Sequence, residues 1–201
     1  MSLLSLAEVK SRCWSGAGEP NWANHIAILP TPQFDEDELG NVGLDAHLGC
    51  WLATFRQDNI SSLEIKSDTS EGKIARPFFV RLGQSFTLHP GQFILGSTFE
   101  WFRLPTNLAA HVIGKSSWGR RGLIIATATG VQPGFCGCLT LEIANVGQAP
   151  IEVRAGMPIC QLFFEEVIGA SEAVTSRFSG SRKPRIGSIK GDWLIQRVGK
   201  R

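Results

Sequence analysis

From Leu44 to Val167 the chain is a succession of short apolar runs: LDAHLGCWLATF, FFVRL, SFTLHPGQFIL, TFEWFRLP, LAAHVIG, GLIIATATG, CLTLEIANVG, IEVRAG and ICQLFFEEV. Glycine, proline and asparagine punctuate them, as they do strands joined by tight turns. Pro90-Gly91, Pro133-Gly134 and Ala155-Gly156 fall between runs, where glycine supplies a positive φ and proline fixes the approach angle. Many short strands at close spacing predict a mainly all-β fold. No self-similar period runs along the chain, which disfavours a propeller or solenoid and leaves a compact barrel or sandwich.

Only the N-terminus breaks this pattern. Ser5 and Glu8 stand at capping-box spacing before Val9, Cys13 and Trp14, predicting a short N-terminal helix. The stretch from Gly16 to Gly40 is rich in Pro, Asn, Asp and Glu and reads as an irregular covering segment with a short strand around HIAIL. With 201 residues the chain fits one domain, 1–201, with a core at about 40–168 and a closing segment and tail at 169–201.

The net charge of +2 argues against a general nucleic-acid binder, and the basic excess gathers after Arg177. Five cysteines, Cys13, Cys50, Cys136, Cys138 and Cys160, form no regular framework, which suits a reducing cytoplasm. The start MSLLSLAEVK lacks the pattern of a signal peptide, and no apolar run reaches membrane-spanning length, so a soluble cytoplasmic protein without membrane contact is expected.

Two segments carry candidate chemistry. Gly114–Gly122, GKSSWGRRG, offers Lys115, Arg120, Arg121, two hydroxyls and several glycines, a donor set that suits phosphate. It is not a Walker loop, because the G-x-x-x-x-G-K-[ST] spacing is absent, and a solvated turn would look similar. The second is CLTLEIAN, where Glu142 is the lone carboxylate in an apolar run. Strand alternation sets Thr140 and Glu142 on the face opposite Leu139, Leu141 and Ile143. On a solvent face Glu142 is ordinary; lining a cleft, desolvation would raise its pKa toward that of a proton shuttle. A zinc site that activates water through H-x-E and a later P-C-x-x-C is not encoded, since neither element is present. Cys136 and Cys138 form an isolated C-x-C that reads as packing, as do the scattered His25, His47, His89 and His111. No G-x-S-x-G elbow supports a serine triad.

The order G-K-S-S-x-x-R-x-G-L, P-G-F-x-G, L-T-L-E-I-x-N and R-A-G-M-P-I-x-Q-L-x-F resembles the dCTP deaminase branch of the trimeric dUTPase-like superfamily. LDAHLG at 44–49 and the segment 86–114 are similar to its earlier strands, and RFSGSRKPRIGS at 177–188 to the tail that folds over nucleotide. The resemblance implies a dUTPase-like β-barrel (β-clip) fold and a homotrimer with active sites between subunits. The activity it implies is zinc-independent deamination of dCTP to dUTP and ammonia, supplying dUTP for dUMP and dTTP synthesis, with dTTP as inhibitor. Glu142 would be the general acid and base. Ser116 and Arg120 would lie near base and phosphates, and Lys115 and Ser117 would complete the phosphate grip. The main chain at Thr140 and Leu141 would read the base edge, while Arg177 and Ser181 would contribute from the tail. Mg²⁺ would be held through the triphosphate oxygens.

The resemblance breaks in two places. Val131-Gln132-Pro133-Gly134 stands where the family usually has Ile-Asp-Pro-Gly, so Gln132 can bond the sugar but cannot act as a base. The chain has no tyrosine, so the tail lacks its usual aromatic hydroxyl, with Thr175 or Phe178 as partial substitutes. Diphosphate hydrolysis is thus less favoured than deamination. A bifunctional dCTP deaminase/dUTP diphosphatase and a non-catalytic nucleotide binder are the alternatives. The final stretch IKGDWLIQRVGKR reads as a short element packing Trp193 against the barrel or a trimer neighbour, with added electrostatic attraction for an anionic ligand as the alternative.

Overall fold

The computed structural model describes residues 2–55, 75–127, 130–169 and 179–186. One sheet organises the fold. Its strands run in the order β8 (Leu123–Ile125), β11 (Thr140–Asn145), β5 (Phe93–Thr98), β2 (Gly43–Phe55), β13 (Pro158–Glu166), β7 (Leu108–Gly114) and β9 (Gly130–Val131), with β3 (Ala75–Phe79) also paired to β2. Two smaller sheets complete it: β1 (Ala27–Leu29) with β6 (Trp101–Arg103) and β10 (Cys136–Gly137), and β4 (Ser85–Leu88) with β12 (Ile151–Arg154). These strands all pair antiparallel, as alternating strands joined by short turns require.

The thirteen-residue β2 is long enough to serve two partners in succession. Its first half pairs with β13, from Gly43 opposite Phe163 to His47 opposite Pro158. Its second half pairs with β5 and β3, and the register with β5 shifts between Leu48 and Leu52. Gly49 sits at that shift, where an added Cβ would lie 2.8 Å from the carbonyl oxygens of Ser97 and Thr98. Only glycine tolerates that approach, and the irregularity curls the sheet so that its two halves face a common interior. The core fills this concavity with Leu48, Leu52, Leu108, Leu141, Ile143, Leu162 and Phe164, all fully buried, each worth about 1.5–3 kcal/mol of apolar burial.

The N-terminal helix α1 spans Leu6–Arg12, buries Leu6 and Val9, and is capped by Ser5, whose Oγ accepts from the Glu8 N–H at 3.3 Å. The capping box closes on one side only. The Glu8 carboxylate accepts from Arg12 Nε at 2.7 Å, one turn on, and Arg12 also reaches Glu166 at 2.6 Å. HIAIL contains β1 as expected, and the expected turn glycines Gly91, Gly134 and Gly156 have φ of 76°, 75° and 91°. The segment 114–122 differs from its reading as a loop: Ser116–Gly119 form a single helical turn, α2. Trp118 explains the difference, because its Nε1 donates to the Pro158 carbonyl at 2.8 Å while its ring packs on the core, winding the chain around that anchor. Among the described residues no helix is long and apolar enough to cross a membrane.

Candidate active site

β11 presents its residues as the alternation predicts. Leu141, Ile143 and Asn145 are buried, while Thr140, Glu142 and Ala144 are half-buried on the other face. Register fixes what shares that second face: Glu142 stands opposite Leu95 and Thr140 opposite Ser97, while Leu95 in turn stands opposite Ala53. Glu142 therefore lies on a largely apolar face, not on a freely solvated one. Its carboxylate makes no hydrogen bond or ion pair with a described residue. The inner face is pinned by Asn145, fully buried, whose Nδ2 donates to Leu88 and Ala149 carbonyls and whose Oδ1 accepts from Gly147.

Main-chain polarity alternates along an antiparallel strand, so successive residues bond to opposite sides. The odd positions of β11 bond toward β5, as the Thr98 N–H to Leu139 carbonyl bond marks at 2.9 Å. The even positions turn the other way. There Glu142 accepts from Ala126 N at 2.8 Å, and Cys138 N donates to the Ser181 carbonyl at 2.8 Å. Between these two contacts, β8 has already left and the tail has not yet arrived. No main-chain hydrogen bond from a described residue reaches Thr140 on that side, which leaves an N–H and a C=O for a ligand edge.

The described tail residues 179–186 flank this gap. Gly180 N donates to Cys136 O at 2.7 Å, and Arg185 N donates to Thr140 Oγ1 at 3.2 Å. Ile186 packs with Ala53, Ala75 and Leu95, and Lys183 Nζ lies 3.8 Å from the Trp51 ring centroid. The tail, with Ala53, Ala75, Pro77 and Leu95, lines a cleft of about 580 Å³ beside β11, and neither Glu142 nor Thr140 is part of that lining. Ser181 spends its hydroxyl on the Lys183 carbonyl at 2.9 Å, a contact within the tail. Arg177, Thr175, Phe178 and Trp193 lie outside the described residues.

The phosphate candidates gather on α2 and the residues around it. Lys115 is its N-cap, and Ser116, Ser117 and Arg120 are exposed. Arg121, also exposed, folds back to the Ser117 carbonyl at 2.7 Å. Among the described residues, no hydrogen bond or ion pair joins Ser116, Ser117 or Arg120 to Glu142. Gln132 is exposed between β9 and the Pro133-Gly134 turn, its carbonyl accepting from Phe135 N at 3.1 Å. Sequence reasoning missed the surroundings of Lys115. Its ammonium is paired with Asp45 on β2, whose other oxygen accepts from Gln161 Nε2 on β13 at 2.9 Å. The available signal was Asp45 itself, a lone carboxylate inside LDAHLG.

The cysteines are free thiols. Burial pushes Cys13 up to about 11 and Cys160 up to about 12, and raises Cys138, so these three are protonated at neutral pH and act as packing groups. His47 and His111 are engaged by carboxylates, Nδ1 to Glu100 at 2.6 Å and Nε2 to Glu165 at 2.8 Å. Among the described residues no group of three or more His, Cys, Asp or Glu is arranged to hold a metal ion.

A family model described as dCTP deaminase-like matches residues 22–167. The dCTP deaminase of Natronomonas pharaonis is 34% identical over 198 residues, 94% of this chain and 96% of that protein. The protein named dCTP deaminase, dUMP-forming, of Dictyoglomus turgidum is 45% identical over 140 residues, 69% of this chain and 72% of the relative. Among solved structures, the 2'-deoxycytidine 5'-triphosphate deaminase from Agrobacterium tumefaciens aligns with a TM-score of 0.58 at 21% identity, covering 81% of this chain and 46% of that chain. The chain thus spans about half the length of that solved protein, and at this identity the likeness carries the mainly β, dUTPase-like fold alone. The chain belongs to the dCTP deaminase-like family and is a hydrolase of the deaminase type.

Proposed function

We propose that this protein deaminates dCTP hydrolytically without zinc, releasing ammonia and dUTP. The observation that carries the reading is the Glu142 carboxylate, which has no partner among the described residues and stands two residues from the Thr140 main-chain edge that no described residue bonds. Cytosine presents an amino donor on C4 and a carbonyl acceptor on C2, which the Thr140 carbonyl and N–H complement while N3 stays free to be protonated. Glu142 takes a proton from water as the oxygen bonds to C4, and delivers it to N3. The proton of the new C4 hydroxyl then passes to the amino nitrogen. The C4–N bond breaks, ammonia leaves, and the C4 carbonyl of uracil remains. Proton transfer of this kind contributes about 10²–10⁴-fold.

Lys115, Ser116, Ser117 and Arg120 serve the phosphates, Arg120 by its forked donors and Lys115 as a point charge, with Ser116 and Arg120 also close to the base. Base reading falls to Thr140, because the Leu141 main chain bonds toward β5 and its side chain is fully buried, against the expectation that Leu141 shares it; Gln132 bonds the sugar, and Arg177 and Ser181 belong to the closing tail. Both oxygens of Asp45, the carboxylate beside Lys115, are engaged, so Mg²⁺ is written as part of the substrate, carried by the triphosphate. Because no hydrogen bond or ion pair joins α2 to Glu142 among the described residues, α2 serves a site completed by a neighbouring copy in a homotrimer. Exposed apolar side chains such as Leu29, Phe79, Phe99 and Ile113 support such association. The protein works in the cytoplasm and is inhibited by dTTP.

A second outcome, dUMP as final product, is favoured by the name of the Dictyoglomus turgidum relative and opposed by Gln132, which cannot act as a base. Chromatography after incubation with dCTP and Mg²⁺ separates the two. Ammonia with dUTP supports the first, ammonia with dUMP and diphosphate supports the second, and unchanged dCTP contradicts both.

A further inference from the structure

Ala126 and Glu142 form the last contact of the β8–β11 ladder, and it is half made. A hydrogen-bonded antiparallel pair exchanges two bonds, each residue donating its N–H to the other's carbonyl. Here Ala126 N donates to Glu142 O at 2.8 Å, but Glu142 N donates to Thr127 Oγ1 at 2.9 Å in place of the Ala126 carbonyl. A side chain has replaced the main-chain acceptor. The half-buried Glu142 amide is satisfied, as a strand amide must be, yet β8 is free to turn away from β11 at this point. Had the regular pair formed, the chain after Ala126 would have run on beside β11 and covered the Thr140 main chain.

We infer that Thr127 is a positioning residue: its hydroxyl fixes the main chain at Glu142 while releasing β8, and so holds open the edge against which the base is read. The assignment rests on the deaminase reading for its functional consequence, but its structural core does not. Threonine suits the position because its oxygen accepts while its own O–H remains, and no described residue takes that proton. A main-chain acceptor would close the edge, and an apolar side chain would leave the Glu142 amide unpaired. Neighbouring hydroxyls in the ATATG run gave no means of singling out Thr127 from sequence.

The test compares the parent with Thr127→Val, which keeps the shape and removes the hydroxyl, and Thr127→Ser, which keeps the hydroxyl. Thr127→Ala stands in should the valine variant fail to fold. Amide exchange at Glu142 is read by fragmentation mass spectrometry, with Ile143 as the internal control bonded toward β5. Loss of the hydroxyl is expected to speed exchange at Glu142 by about 10-fold or more with Ile143 unchanged, and serine to restore it to within about 3-fold. In turnover of dCTP, kcat/KM is expected to fall by about 10-fold or more, with KM raised because the base-reading edge is lost, and serine again to rescue. Unchanged exchange at Glu142 without the hydroxyl, or serine failing to rescue, overturns the assignment. A parent that binds nucleotide but releases no ammonia defeats the deaminase reading instead, and the exchange measurement still decides the role of Thr127.

Discussion

Asp45 and Glu142 are each the lone carboxylate of an apolar strand, and the fold uses them in opposite ways. Asp45 has both oxygens occupied, one by Lys115 and one by Gln161, so it joins β2 to α2 and β13. Glu142 is held through its main chain, by Ala126 and Thr127, while its carboxylate has no partner among the described residues. A carboxylate that is spent on other side chains organises a site, whereas one kept free of them on an apolar face is available to move protons. The same sequence signal therefore marks two different environments, and partnership tells them apart.

The largest expected effect of breaking this contrast is on turnover. Glu142→Gln keeps size and polarity but cannot shuttle a proton, so kcat for dCTP should fall by about 10²–10⁴-fold while the thermal midpoint moves little. Ammonia release and calorimetry on the same sample check both halves. A smaller effect is expected at Asp45. Asp45→Asn removes a partly exposed ion pair, worth about 1 kcal/mol or less after solvent screening, and frees Lys115 from its station. Its midpoint should drop by a few degrees at most, and KM for the triphosphate should change more than kcat. A variant that loses as much kcat as Glu142→Gln would erase the distinction.

The smallest effect is a titration. Cys160 sits near the Asp45 pair, and burial pushes its thiol up to about 12, with lesser upward contributions from Glu100 and Asp45 and a downward one from Lys115. Replacing Asp45 with Asn should therefore lower that value slightly, read by thiolate absorbance at alkaline pH. The sign for stability follows from the raised value. An unfolded thiol ionises near 9 while the folded one stays protonated to about 12, so this contribution is intact below pH 9 and drains away as pH rises between the two. Alkylation of native Cys160 should be slow at pH 8; rapid labelling there would contradict its burial.

Much of this arrangement was legible beforehand, and what was not has physical reasons. The alternation in TLEIAN placed Glu142 on the face opposite Leu141, and the proline and glycine pairs located turns, because both signals are local. β9 and β10 are two residues each, too short for any period to register. The helical turn at Ser116–Gly119 depends on Trp118 reaching Pro158, forty residues away. Gln161, 116 residues from Asp45, likewise meets it only through the pairing of β13 with β2, where the two stand directly opposite. The resemblance to a deaminase family singled out Glu142, since alternation by itself could not separate a cleft from solvent.

Ammonia release from dCTP, measured side by side for the parent protein and Glu142→Gln with nucleotide binding followed by thermal shift, tests the central claim most directly. The account predicts ammonia and a uracil nucleotide from the parent, and bound nucleotide without ammonia from the variant. Turnover by Glu142→Gln at the parent rate, or a parent that stabilises on binding dCTP yet never releases ammonia, would contradict it.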